Sequence, residues 1–235
     1  MRTSQRVMAG LLGGIVVLLV VAAISIKVAA PSALELSGER TTRAYDYADF
    51  TGVSVSGQWQ VTIERGAAWQ VTVDVPAEVV DRLRVERSGD ELALGFEGGT
   101  RSFGPFGRAT RSPRATITMP ELTSIVLSGT STLSFTGFEG DQLSLTSSGA
   151  SEVRAASGRF DSLALTMSGA GNVDLDDVVV TNADIRVSGA GNLKLNMAGG
   201  RLTGQMSGAG NLDYRGTVSE QSVTTSGVVN VRRRD

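Results

Sequence analysis

The sequence predicts an all-β fold, a parallel β-helix (solenoid) with coils of about 20 residues, preceded by one amino-terminal transmembrane helix. Three observations predict it. The phrase Ser-Gly-Ala-Gly-Asn begins at Ser168, Ser188 and Ser207 and is echoed at Ser128, Ser148 and Ser226, so its step is 19 or 20 residues. A fixed period of this length marks a repeat unit that buries its apolar face only against its neighbours. On both sides of the phrase, apolar residues alternate with polar ones, the period of a strand with one face inward. Near the amino end lies an apolar run, 9–26, without a charge.

Aligned on the serine, the repeats form columns. Ile125, Leu145, Leu165 and Ile185 stand three residues before it; Leu133, Val153, Val173, Leu193 and Leu212 stand five after it. Each unit therefore holds two short strands joined at a Gly-rich corner, and about 20 residues leave no room for a crossover helix. Gly169, Gly189 and Gly208 are read as structural residues of that corner, suited to positive φ and close coil packing. No helix or lysine follows them, as a phosphate-binding loop would require. Four residues after the serine, Asn172, Asn192, Asn211 and Asn230 form an amide column, read as a solvent-facing ladder or a ligand-contacting row. Six after it the charge alternates: Arg154, Asp174, Lys194, Asp213, Arg232. Alternation suits direct neighbours on adjacent strands.

In chain order, residues 1–8 read as a short cytoplasmic end carrying Arg2 and Arg6. Residues 9–26 follow as a transmembrane signal anchor, 27–45 as a tether and 46–235 as the β domain, with regular repeats at 121–235 and an inserted loop at 97–114. The arginines ahead of the span place the amino end inside. The expected location is the cytoplasmic membrane of a bacterium, single-pass, with the domain on the extracytoplasmic side, periplasmic or cell-surface. A cleaved signal peptide is the competing reading of the same segment. The chain has no cysteine, which excludes disulfide and thiolate chemistry, and its net charge is -2.

Between residues 50 and 119 the period-two pairs persist, as in Val61 with Ile63 and Leu92 with Leu94. They read either as further coils, with Ser56-Gly57 a remnant of the corner, or as a separate antiparallel sheet. Residues 76–80 read as a short turn or helical excursion. The inserted loop sets Arg101, Arg108, Arg111 and Arg114 among Phe103 and Phe106, a combination able to grip an anionic surface. These six are the candidate ligand contacts. In the last repeat Gln221 and Thr225 take inward positions and Arg233 replaces an apolar residue, which reads as a polar cap.

The chain resembles the bacterial head-GIN-domain family of adhesin heads. The resemblance rests on Phe50-Thr51-Gly52-Val53, Val61-Thr62-Ile63, Leu92-Ala93-Leu94, Met119-Pro120-Glu121-Leu122 and the Ser-Gly-Ala-Gly-Asn series. It implies a right-handed parallel β-helix and surface adhesion, and it brings no catalytic motif. The expected function is a noncatalytic, membrane-anchored binding or display module for a glycan, polymer or protein. It is expected to be a monomer that contacts no nucleic acid and uses no cofactor or metal. The alternatives are a polysaccharide-active enzyme on a β-helix scaffold and an envelope sensory or assembly component. With no histidine or cysteine, the local acidic cluster is Asp174, Asp176 and Asp177, read as a surface turn or a weak calcium site.

Overall fold

The computed structural model describes residues 39–98 and 112–234. They belong to one unit, Gly38–Asp235. Its strands are β1 (Arg40–Tyr45), β2 (Gly52–Arg65), β3 (Gln70–Pro76), β4 (Leu83–Ser88), β5 (Glu91–Phe96), β6 (Arg114–Met119), β7 (Ser124–Ala198), β8 (Arg201–Thr217) and β9 (Glu220–Arg233). A 3-10 helix, Ala77–Arg82, joins β3 to β4.

The carboxy half is a stack of rungs paired in parallel. β8 lies on β7 with Ser188 opposite Ser207 and Asn192 opposite Asn211; β9 lies on β8 with Ser207 opposite Ser226. Within β7 the chain coils on itself, so that Gly129, Gly149, Gly169 and Gly189 follow one another at the same corner. β2 is the rung before β7, with Ser56 opposite Ser128 and Gly57 opposite Gly129.

On the far side of β2 the rung is split. β5 pairs parallel with Gly52–Val55, and β6 pairs parallel with Gln60–Arg65. Beyond this rung the direction reverses: β4 on β5, β3 on β6 and β1 on β3 are all antiparallel. The reversal between β4 and β5 is a hairpin whose two loop residues are Gly89 and Asp90, with Gly89 at φ +62°. Short hairpin loops need that left-handed backbone at little cost, which glycine supplies.

The predicted fold class is therefore corrected. The protein is an all-β mixed sheet, parallel and antiparallel, running β1-β3-β6-β2-β7-β8-β9 without closing, and not a right-handed parallel β-helix throughout. Alternation of period two is common to both strand directions, so it did not distinguish them. The transmembrane helix in that class also lacks support: among the described residues no helix is long and apolar enough to cross a membrane. The span at 9–26 on which it was predicted lies outside them.

One continuous core runs through split rung and stack alike. It includes Phe50, Val53, Ile63, Leu92, Ile117, Phe135, Phe138, Phe160, Leu175, Ile185, Leu195 and Leu212, each buried. Trp59 stacks on Phe96 with ring centroids 5.2 Å apart and donates its indole N–H to the Ser56 carbonyl at 3.1 Å. A buried indole paired in this way adds apolar area without an unsatisfied donor.

Candidate functional site: columns of repeated side chains

Stacking in register turns a sequence repeat into surface columns, because residues at one position of successive rungs lie about 4.8 Å apart. The exposed serines Ser128, Ser148, Ser168, Ser188, Ser207 and Ser226 form one such column, which Ser56 extends. Some of its hydroxyls lean on the rung before: Ser207 Oγ donates to the Val187 carbonyl at 3.3 Å. Beside its later rungs runs a shallow groove of about 300 Å³, lined by Thr166, Arg186, Gln205 and Thr224 along with Ser168, Ser188, Ser207 and Ser226.

The second column is amide. Asn192 Nδ2 donates to Asn172 Oδ1 at 2.9 Å, and Asn211 Nδ2 donates to Asn192 Oδ1 at 2.8 Å. Each carboxamide is both donor and acceptor, so the chain of bonds propagates along the stack. Gly169, Gly189 and Gly208 sit at the corner preceding these asparagines, with φ between +118° and +135°.

In the charged column Lys194 Nζ pairs with Asp174 Oδ2 at 2.9 Å, and Arg232 Nε pairs with Asp213 Oδ1 at 2.7 Å. Arg154 turns instead to Glu152 on its own strand, at 2.7 Å. Partial burial pushes the Asp174 carboxyl up. The Lys194 hydrogen bond, the Asp176 backbone N–H and the charges of Lys194 and Arg154 outweigh it and hold the carboxyl below its usual value of 3.8. The Arg232 hydrogen bond lowers Asp213 in the same way, against some desolvation. A carboxylate lowered in the folded state stabilises the fold above its unfolded value, and that contribution is lost as pH falls through the folded one. For both acids the loss falls below about pH 4.

The acidic cluster lies within β7 and not in a turn, and Asp176 is occupied by cations of its own chain. Arg234 Nη2 bonds Asp176 Oδ1 at 2.5 Å, and Arg215 lies 3.6 Å from Asp176 and 3.6 Å from Asp177. Arg215 also donates to the Asp176 carbonyl. Guanidinium groups held there compete with any calcium for the same oxygens. Among the described residues no group of three or more acids is arranged to hold a metal ion.

Of the six candidate ligand contacts, Arg101, Phe103, Phe106, Arg108 and Arg111 lie outside the described residues. Arg114 opens β6 and donates from Nε to Gln60 Oε1 at 3.2 Å. Sequence reasoning missed the groove beside it. That groove, of about 430 Å³, is lined by Gln58, Gln60, Ser112, Thr130, Thr132 and Glu152 among others. Gln58 Nε2 bonds Ser112 Oγ at 3.0 Å. The signal was the shared outward spacing of Gln58, Gln60, Thr130 and Thr132 after their Ser-Gly corners, obscured by an offset of 72 positions along the chain.

An open mixed sheet that stacks short rungs and displays one side chain per rung defines a β repeat domain. The chain belongs to the family described as "Putative auto-transporter adhesin, head GIN domain", whose model matches residues 49–217 and again 174–235. Among solved structures it is similar to a putative adhesin from Bacteroides fragilis NCTC 9343, at 17% identity and a TM-score of 0.62, with 85% of this chain and 99% of that one covered. A putative adhesin from Parabacteroides merdae ATCC 43184 matches at 13% identity and a TM-score of 0.49, over 83% of this chain and 97% of that one. No curated protein matches the chain.

Proposed function

We propose that residues 46–235 form a noncatalytic, adhesin-like binding or display module on the extracytoplasmic side of a bacterial envelope. Its ligand is a repeating surface glycan or other polymer. The observation that carries this reading is the exposed serine column beside its groove, flanked by the asparagine column. Identical hydrogen-bonding groups recur at each rung, and a periodic surface matches a periodic ligand better than a single small molecule. Neutral hydroxyls and amides suit the hydroxyls of a sugar chain, each acting as donor and acceptor.

Multivalency then supplies affinity, since each added rung meets another repeat of the same ligand without a new association step. The test is binding of the unit 38–235 to an array of glycans and cell-wall polymers, alongside Ser168→Ala/Ser188→Ala/Ser207→Ala. The expected result is retention of at least one polymer whose affinity rises with polymer length and falls at least about tenfold in the triple variant. Binding that is the same for parent and triple variant, or independent of chain length, would contradict the reading.

A further inference from the structure

We propose that β9 is a homodimerisation edge, on which a second copy of this chain pairs antiparallel about a two-fold axis at Ser226. β9 ends the sheet: it pairs with β8 on one side, and no described strand pairs on the other. It is 14 residues long, and from Gln221 to Val231 it carries no charge. Gln221 and Thr225, expected from the sequence to cap this end, are neutral, and Arg233 lies at its far end, so this long edge still presents a row of backbone donors and acceptors, the arrangement that charges or proline normally blunt. Val228 on this edge is 82% exposed, the single exposed large hydrophobic residue among the described residues. Val223, Val229 and Val231 pack on the end of the core but remain only partly covered.

The edge is complementary to itself. Ser226 and Gly227, with φ +95°, stand at the corner, and a strand arm extends to either side. A two-fold axis through Ser226 lays each arm on the opposite arm of the second copy. Val223 then faces Val229, Thr224 faces Val228, Gln221 faces Val231, and Ser222 faces Asn230. Core-facing residues meet core-facing residues, and outward ones meet outward ones. A slip of one residue would reverse every face.

Charge selects the same register. Glu220 meets Arg232 of the second copy, on the outer face where Glu220 already lies 3.9 Å from Arg201 and Arg232 already bonds Asp213. The alternation of sign in each stack therefore continues across the junction: Arg201, Glu220, Arg232, Asp213. A slip of two residues in one direction faces Glu220 with Asn230, and in the other with Arg234, which Asp176 already holds. Head-to-tail pairing fits poorly, because the opposite end of the sheet is β1, only 6 residues long. A closed two-fold pair also leaves no further edge of this kind to add a third copy.

The chain has no cysteine, so introduced ones report directly. In the full-length chain, solubilised in mild detergent and oxidised, Ser226→Cys is expected to form a covalent dimer, since facing residues of antiparallel strands lie within disulfide reach. Ser168→Cys, in the same column but inside the stack, is expected to stay monomeric. Ser222→Cys and Asn230→Cys are each expected to stay monomeric alone and to cross-link when mixed. Glu220→Arg should weaken the dimer at least about fivefold in sedimentation experiments, with circular dichroism unchanged. A folded Ser226→Cys protein that stays monomeric overturns the proposal. So does a cross-link in Ser222→Cys alone, or a dimer indifferent to Glu220→Arg. If residues of the same chain cover β9 instead, Ser226→Cys stays monomeric and the proposal falls in the same way.

Discussion

Gly189→Ala is expected to lower the stability of the domain by about 3 to 5 kcal/mol, the sum of backbone strain and overpacking. Gly189 has φ +135°, a region that side chains with a Cβ rarely enter. A Cβ added there would also overlap the carbonyl oxygen of Gly169 on the rung before, and that oxygen belongs to backbone paired on both sides. Neither rung can move aside without breaking its ladder. Gly89→Ala separates the two causes, because Gly89 also has positive φ, +62°, but nothing lies within 4 Å of its added Cβ. It should cost only about 1 to 2 kcal/mol, from strain alone. Denaturant midpoints of the two variants check both the size and the order; equal losses would mean that rung contact at the corner contributes nothing.

Phe138→Ala is expected to cost about 3 to 5 kcal/mol, the usual range for removing a buried aromatic ring. Phe138 is fully buried, its ring centroid 6.4 Å from that of Phe135. The backbone on either side is fixed by strand pairing, so the cavity cannot collapse, and the transfer and cavity terms are both felt. Val231→Ala, at the open end of the stack and only partly covered, should lose about 0.5 to 1.5 kcal/mol. That contrast follows from stability being a sum of nearest-neighbour interfaces: within the chain an inner rung has two and the last rung has one. Equal losses at the two positions would contradict a stack stabilised rung by rung.

Much of the carboxy half was legible because a repeat states its register outright. The offsets between Ser188 and Ser207, and between Ser207 and Ser226, are the offsets of the parallel ladders. The Ser56-Gly57 remnant fell opposite Ser128-Gly129 for the same reason. An antiparallel sheet was only one of two readings of the amino half, because Val71, Val73 and Val75 alternate as any half-buried strand does, whatever its direction. The Gly89-Asp90 pair is the local hairpin signal, and it speaks for one strand pair alone. The split rung was harder still. β5 and β6 lie along one strand, β2, yet residues 97–113 separate them, and no local pattern reveals which strand two separated segments will share.

Candidate surface residues divided along the same line. Asn172, Asn192 and Asn211 could be named from their period, while Gln58 and Thr130 meet only through the tertiary fold. Arg154 shows the limit of the periodic argument in the other direction. Its place in the charged column predicts a partner on the next rung, but Glu152, two residues away on the same face, is nearer and takes it. Arg234 and Arg215 reach Asp176 from 58 and 39 residues away, which no spacing rule anticipates.

Lys194→Glu tests most directly whether positions one period apart are physical neighbours. The reversal breaks the 2.9 Å pair with Asp174 and sets the new carboxylate between Asp174 and Asp213, whose backbone is paired opposite residue 194. At low salt the expected loss is about 1 to 2 kcal/mol relative to the parent, from one lost pair and two new repulsions. The loss should shrink steadily as salt is raised, because these side chains are partly exposed and screened. The same reversal at the exposed Arg159, outside the charged column, should move the midpoint much less. A Lys194→Glu protein that unfolds at the parent's denaturant midpoint at low salt, or whose deficit is indifferent to salt, would contradict the stacked register.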